Sequence, residues 1–226
     1  MVYIPSCSEE EQFLKNYDPK KYQNPAVAAD TALFAVDEVG LSILLIRRGG
    51  YPYKGCWALP GGFVDIGEDI MASAMRELKE ETGLQSPYIE QVFVWGKPDR
   101  DPRSRVITVS FAGLVDHTKV NARAGDDAAA AEWFRLSGYV SEEKDEVVVT
   151  RYTLSGCETL CPIVTYPAGQ LQKIAPVNSG GLAFDHAESI AYAFEYVRRR
   201  AREGLIEQVF DTDVLRRMAK SALLTD

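Results

Sequence analysis

Between stretches rich in aliphatic residues, positions 69–83 read DIMASAMRELKEETG, and a helix there constrains the fold more than any other feature of the chain. Asp69 can accept a backbone N–H at its start, and Gly83 can take the left-handed conformation that ends a helix. The helix body is therefore expected to run from Ile70 to Thr82. At about 100° per residue, Met71, Ala74, Met75 and Leu78 share one stripe, while Glu77, Glu80 and Glu81 share another about 120° away. The first stripe needs a core to bury it, and the second is left for chemistry.

The neighbouring segments supply that core. AVAADTALFAV (26–36) and LSILLIRRG (41–49) read as paired strands joined by the turn-like DEVG. The loop GGYPYKGCWALPGG, rich in Gly and Pro, leads into the helix. YIEQVFVWG and RVITVSFAGLV (105–115) read as two more strands, joined by KPDRDPRS, and AAEWFRL reads as a short edge strand. EVVVTRYTLSGCETLCPIVTY (146–166) has two β-prone runs flanking SGCE, which predicts a hairpin added to the main body. Near the C-terminus, Asp185 and Glu188 form a candidate capping box. Ala187, Ile190, Ala191, Phe194 and Val197 then recur at helical spacing up to a stop at Gly204, and a second helix is expected from Asp213 to about Leu224.

These elements predict an α/β fold with a sheet covered on both faces. Residues 1–24 read as an irregular lead-in and 25–203 as the main domain, with an insertion over about 137–180. Residues 204–226 read as a helical tail.

Composition limits the function classes. With 226 residues, 46% of them hydrophobic, the chain can bury one substantial core plus a small appendage. A net charge of −8 argues against a surface that binds duplex DNA by neutralising phosphates, so nucleic acid is not an expected partner. No apolar run approaches the roughly 20 residues that span a bilayer. No basic start followed by an apolar run marks a secretory signal, and a cytoplasmic protein without a membrane partner is expected. Cys7, Cys56, Cys157 and Cys161 are expected to be reduced, buried thiols. Their one close pair, CxxxC, lacks the second tight ligand pair that a zinc site completed by His117 or His186 would show.

The acidic stripe is the feature that needs explaining. Like charges spaced i, i+3 and i+4 cost about 0.2–0.5 kcal/mol per pair. Arg76 can offset part of this. A hard divalent cation offsets more, because Mg²⁺ prefers carboxylate and water oxygens and bridges to phosphates. An isolated acidic helix face is more often simply solvated. The wider spacing decides otherwise: from Gly62 the chain reads GxxxxxE, then seven residues, then RELKEETGL. Gly62, Glu68, Arg76, Glu77, Glu80, Glu81 and Gly83 match the fixed positions of the Nudix box, which at about 7% usage of Gly and of Glu arises by chance on the order of one time in 10⁷.

The chain thus resembles the Nudix hydrolases. That resemblance implies an α/β/α sandwich with a mixed sheet over roughly Pro25 to Val197. It also implies cleavage of the pyrophosphate in a nucleoside diphosphate linked to another group, with Mg²⁺ or Mn²⁺. By the same resemblance Gly62 (through its carbonyl), Glu77, Glu80 and Glu81 carry the metal, with Glu77 and Glu81 foremost. Glu68 supports the loop or holds metal through water, and Arg76 orients Glu77. The base for the attacking water stays open between Glu77 and the acids Glu142, Glu143, Asp145 and Glu146.

WGKPDRDPRSRVITVSFAGLV, AGDDAAAAEWF and GGLAFDHAESIAYAF resemble the ADP-ribose pyrophosphatase branch of the family and its NAD-linked transcriptional-regulator relatives. This implies conversion of ADP-ribose to AMP and ribose 5-phosphate. Arg100, Arg103 and Arg105 become candidate grips on phosphate or ribose. Trp95, Tyr53 and Trp57 are candidate stacking partners for the base, with a core role as the competing reading of each. The alternatives are an ADP-ribose-sensing regulator, for which the residues after Gly204 are too few to build a winged helix, and a house-cleaning nucleoside triphosphate pyrophosphohydrolase. The insertion is a candidate homodimer surface, pocket wall or source of the base.

Overall fold

The computed structural model describes residues 3–84, 88–120, 122 and 128–203. In chain order its main elements are α1 (Ser8–Asn16), β1 (Ala26–Asp37), β2 (Gly40–Arg48), β3 (Trp57–Ala58), β4 (Gly61–Phe63), α2 (Ile70–Thr82) and β5 (Ile89–Trp95). There follow β6 (Val106–Asp116), β7 (Ala128–Lys144), β8 (Val147–Ser155), β9 (Thr159–Leu160), β10 (Ile163–Pro167), β11 (Ala175–Asn178) and α3 (His186–Arg202).

The lead-in expected to be irregular carries α1, whose first-turn acids Glu9, Glu10 and Glu11 and last-turn Lys15 complement the helix dipole. The helix buries no residue, which is why apolar periodicity did not reveal it.

The sheet runs in the order β11-β10-β8-β7-β2-β1-β6-β5, with β3, β4 and β9 as side pairings. β1 and β6 pair in parallel while β1 and β2 pair antiparallel, so the sheet is mixed. β1 is buried from Ala28 through Val36 because both of its faces are covered, and a strand so placed reads as a nearly continuous apolar run. Leu33, Leu44, Val109 and Phe111 pack under Ala74 and Leu78 of α2. Phe34, Ile43, Leu45 and Leu114 pack under Ile190, Phe194 and Val197 of α3 on the other face. The result is the expected α/β/α sandwich.

Helix α2 has the predicted ends. The Asp69 carboxylate accepts from the Met71 amide at 2.9 Å, and Gly83, at φ 72°, donates its N–H to the Lys79 carbonyl. Its buried stripe is rotated from the one expected: Ser73, Ala74, Leu78 and Thr82 are buried, whereas Met71 is exposed. The two hydroxyls tolerate burial because Thr82 Oγ1 donates to the Leu78 carbonyl and Ser73 Oγ accepts from Arg76. An apolar count omits both.

Two further expectations are corrected. AAEWFRL is neither short nor at an edge: it belongs to β7, whose 17 residues lie between β2 and β8. β8 turns back onto it through Asp145 and Glu146, both at positive φ (52° and 63°), as a tight hairpin requires. The hairpin around SGCE does form between β8 and β9, but the long partner of β8 is β7. The capping box at α3 does not form, because Asp185 makes no cap bond and its carboxylate is held by Arg100.

Ala187, Ile190, Ala191, Phe194 and Val197 are buried as their spacing predicted. The stop at Gly204 and the helix expected at 213–224 lie outside the described residues. Cys7, Cys157 and Cys161 are exposed and Cys56 is half-buried, all as free thiols, contrary to the expectation of burial. Among the described residues no helix is long and apolar enough to cross a membrane.

Candidate active site

The site begins where β4 lies against β1, with Gly61 opposite Asp30 and Gly62 opposite Ala29. Neither glycine has room for a side chain. A Cβ on Gly62 would lie 2.4 Å from Glu77 Oε1, and one on Gly61 would lie 2.4 Å from the Ala29 carbonyl oxygen. This backbone edge lets the carboxylates of α2 approach closely. Glu81 Oε2 accepts from the Gly61 amide at 2.8 Å.

Burial dominates the electrostatics of these acids. It pushes the Glu81 carboxyl up to about 8, with Glu77 and Asp30 adding to the rise and the Gly61 N–H opposing it. Glu77 is raised too, again chiefly by burial. Arg76 serves several acids at once: it donates to Glu68 at 3.0 and 2.9 Å, to Glu77 at 2.8 Å and to Glu80 at 3.1 Å. Glu80 is 58% exposed and pairs with Arg76.

In these rotamers no three His, Cys, Asp or Glu side chains among the described residues converge as a metal cluster. The local chemistry nevertheless fits a hard divalent cation. Glu77 and Glu81 are desolvated oxygen donors lying against Gly62 and Gly61, where Gly62 lacks a Cβ that would crowd Glu77.

An open cleft of about 560 Å³, counted out to solvent, adjoins this edge and is lined by Asp30, Arg48, Gly61, Gly62, Phe63, Arg100, Asp101, Arg103, Phe184 and His186 among others. Arg100 and Arg103 are thus brought together. Arg100 donates to Asp185 at 2.6 and 2.5 Å and to Thr108 Oγ1 at 2.6 Å. Arg103 grips Asp101 at 3.0 and 2.7 Å, and its guanidinium carbon lies 5.0 Å from the Phe63 ring centre and 5.6 Å from that of Phe184.

Arg105 and Trp95 are not among the lining residues. Arg105 donates to the Gly96 and Val106 carbonyls, bracing the loop. Trp95 is 9% exposed, packs against Phe93 and Tyr192, and donates to Ser110 Oγ at 2.8 Å. Trp57 is buried and donates to Glu158, while Tyr53 packs on Phe184 with ring centres 4.7 Å apart. The acids at 142–146 sit at the far tip of the β7–β8 hairpin, where Glu142 pairs with Arg151. From Ala128, which pairs with Arg48, that tip is roughly 50 Å along the strand at about 3.3 Å per residue.

Sequence reasoning missed Asp30, Arg48 and Phe184, and weighed His186 only as a zinc ligand. Burial raises Asp30 to about 7. His186 Nδ1 accepts from the Leu59 amide at 2.7 Å, which places the ring proton on Nε2, 3.7 Å from Asp30 Oδ2. Burial lowers His186 to about 4, so it is neutral at pH 7. A lone acid inside the apolar run AVAADTALFAV was the available signal for Asp30. Nothing local marked Phe184, whose φ of 49° is strained for a bulky side chain.

A mixed sheet clasped by α2 and α3, with a capped helix turning buried carboxylates onto a glycine edge, is the architecture of the Nudix fold. The NUDIX domain family model matches residues 25–153, and the chain belongs to that family. It is 44% identical over 130 residues to the ADP-ribose pyrophosphatase of Methanocaldococcus jannaschii, a match covering 56% of this chain and 73% of that protein. It is also 44% identical over 131 residues to the ADPR responsive transcriptional repressor NtrR of Acinetobacter baylyi, covering 57% of this chain and 52% of the repressor. The chain therefore matches only about half the repressor's length. A crystal structure of a MutT/nudix family protein from Enterococcus faecalis superposes with a TM-score of 0.74 at 32% identity, covering 98% of this chain and 83% of that one.

Proposed function

We propose that the chain hydrolyses the pyrophosphate bond of a nucleoside diphosphate linked to another group, with ADP-ribose as substrate and AMP and ribose 5-phosphate as products. The observation that carries this reading is Glu81 buried on the Gly61 amide with Glu77 against Gly62, beside a cleft lined by Arg100 and Arg103. An anionic diphosphate and desolvated acids share such a space only with cations between them. Glu77, Glu81 and the Gly62 carbonyl would hold Mg²⁺ or Mn²⁺, joined by Glu80 on release from Arg76. When bound, the ion supplies neutralisation of phosphate charge and a lowered pKa for water.

The chain's own groups do the rest. Arg76 pins Glu77 at 2.8 Å and so fixes the carboxylate beside Gly62. With the 142–146 acids on the distant hairpin tip, the attacking water is oriented by Glu77 and Glu81. Arg100 and Arg103, tethered by Asp185 and Asp101, hold their remaining N–H donors toward phosphate or ribose oxygens. The choice of ADP-ribose draws support from the similarity to the M. jannaschii enzyme.

The equal identity to the A. baylyi repressor favours a second reading, an ADP-ribose sensor. Intact, desolvated Glu77 and Glu81 favour hydrolysis over it. The test is a panel of ADP-ribose, NADH, nucleotide sugars, diadenosine polyphosphates and nucleoside triphosphates with Mg²⁺ or Mn²⁺, read by product chromatography. ADP-ribose is expected to give the highest kcat/KM. A preference for triphosphates overturns the substrate, and ADP-ribose binding without turnover, coupled to duplex DNA affinity, replaces the enzyme with a regulator.

A further inference from the structure

The cleft holds an acceptor and a donor side by side, neither of which the fold has used. Asp30 and His186 both line it and are 8% and 5% exposed. Among the described residues no group donates a hydrogen bond to the Asp30 carboxylate, and its Oδ2 lies 3.7 Å from His186 Nε2, too far for a direct bond. His186 Nδ1 is taken by the Leu59 amide, so the ring proton sits on Nε2. Arg100, the cation that acts most strongly on Asp30, is spent on Asp185 and Thr108.

Two separate parts of the fold bring the pair together. Asp30 sits on β1 opposite Gly61, and the missing side chain there makes room for its carboxylate: a Cβ on Gly61 would lie 2.4 Å from Oδ1. Residues 181–183 run alongside β3, where the Trp57 amide donates to the Gly181 carbonyl at 3.3 Å and the Ala183 amide to the Trp57 carbonyl at 2.8 Å. That lacing delivers His186, the first residue of α3, to Asp30.

A group that completes the pair must accept from Nε2–H and donate to a carboxylate at once. A hydroxyl does both, and its oxygen, at about 2.8 Å from each atom, can bridge the gap. Water has the same capacity, so a ligand that displaces it must reproduce both bonds. A metal ion cannot accept from N–H, and the charges of Arg100 and Arg48 act on Asp30 against a further cation there. An amine on an aromatic base donates but does not accept. Ala28, Leu59 and Val106 line the same cleft and offer apolar surface to the carbons of a sugar.

We infer that Asp30 and His186 read one ribose hydroxyl of the substrate, with His186 Nε2–H donating to its oxygen and Asp30 accepting its O–H, and so select a ribosyl over a deoxyribosyl group. The inference rests on the proposed reading of the cleft as an ADP-ribose site. It adds the residues that choose the sugar, which lie outside both the box and the arginine-rich loop.

Steady-state kinetics with Mg²⁺ test it on wild type, Asp30→Asn, Asp30→Ala and His186→Asn. In the last, the amide oxygen can still accept from Leu59 while the Nε2–H is gone. The substrates are ADP-ribose, deoxy analogues each lacking one hydroxyl of the adenosine ribose or of the terminal ribose, and inosine diphosphate ribose, which lacks the adenine amine. Wild type is expected to lose about 10- to 100-fold in kcat/KM on one deoxy analogue, because removing that hydroxyl leaves two buried groups unpaired. Asp30→Ala should lose about as much on ADP-ribose and nothing further on that analogue, the signature of a direct contact. Asp30→Asn, which keeps an acceptor, and His186→Asn, which keeps Asp30, should fall between.

Variants that lose equally on every substrate, or a wild type indifferent to every sugar hydroxyl, overturn the assignment and leave the hydrolase reading standing. Coupling confined to inosine diphosphate ribose overturns it in favour of the base amine. No turnover of ADP-ribose by wild type defeats the substrate reading, and this inference with it.

Discussion

On the α2 side of the cleft one guanidinium is shared among several acids, whereas on the other side each of two guanidiniums has an aspartate of its own. Arg76 is divided between Glu68, Glu77 and Glu80, whereas among the described residues Glu81 has the Gly61 amide as its hydrogen-bond donor and no ion pair within 4.0 Å. Arg100 and Arg103 are matched one to one with Asp185 and Asp101, and Arg48, with no carboxylate within 4.0 Å among the described residues, is acted on through space by Glu81, Asp101 and Asp30. The acids of the α2 side are thus the less compensated group. Uneven compensation, more than total charge, marks where a cation would supply the missing partner, beside Glu81.

The comparison breaks most directly at Glu81. Glu81→Gln is expected to lower turnover by at least ~10²-fold, because it removes the most deeply buried charge of the metal side. The same change is expected to stabilise the metal-free fold at pH 8 by on the order of 1–3 kcal/mol, since a neutral amide needs no cation. Turnover near that of wild type, or a destabilised metal-free protein, would show that Glu81 is not the group awaiting a partner.

Sharing itself is tested at Arg76. Arg76→Gln frees three acids together and is expected to cost about 10- to 100-fold in kcat, as loss of a group that orients metal ligands does. Arg76→Lys should recover little of it, because one ammonium cannot replace the fork that spans Glu68 and Glu77. Full recovery in steady-state kinetics would reduce Arg76 to a point charge.

A smaller effect follows from pH. The folded pKa values of Glu81 (about 8) and Asp30 (about 7) lie above their unfolded values, so the unfolded chain releases these protons first as pH rises. Metal-free stability should then fall from about pH 4 to about pH 8 and level off, by on the order of several kcal/mol. His186 acts in the opposite sense: its folded value of about 4 lies below the unfolded one, so stability is lost as pH falls from about 6.5 toward 4. Thermal melts in EDTA across this range check both slopes. Mg²⁺ or Mn²⁺ should lift the alkaline limb most, and a flat profile with no metal response would contradict the desolvated-acid account.

The smallest effect is expected at Arg105. Arg105→Gln should change kcat/KM by less than about 2-fold, since the side chain is spent on backbone carbonyls outside the cleft. A loss matching that of an Arg100 variant would return Arg105 to the site.

Some of this was readable beforehand. The ends of α2, the acids of its polar face and the apolar face of α3 follow from interactions spanning a single turn, and each lay where local spacing put it. The three arginines of KPDRDPRSR were indistinguishable in sequence. Arg100 and Arg103 reach the cleft because of Asp185 and Asp101, while Arg105 meets the Gly96 carbonyl. AAEWFRL was misread for a related reason: the length of β7 depends on a partner strand that follows it, and apolar alternation carries no information about that partner.

What the amino-acid order determined alone is therefore the helix with its caps, the spacing of Glu77, Glu80 and Glu81, and through these the family. Hydrogen bonds across three or four residues encode such features directly. Which charges are compensated was decided only in three dimensions. Asp185 lies 85 residues from Arg100 and His186 lies 127 from Leu59, and the packing of strands and helices settles which of these groups meet. Coulomb energy and desolvation depend on distance through space, and separation along the chain does not fix that distance.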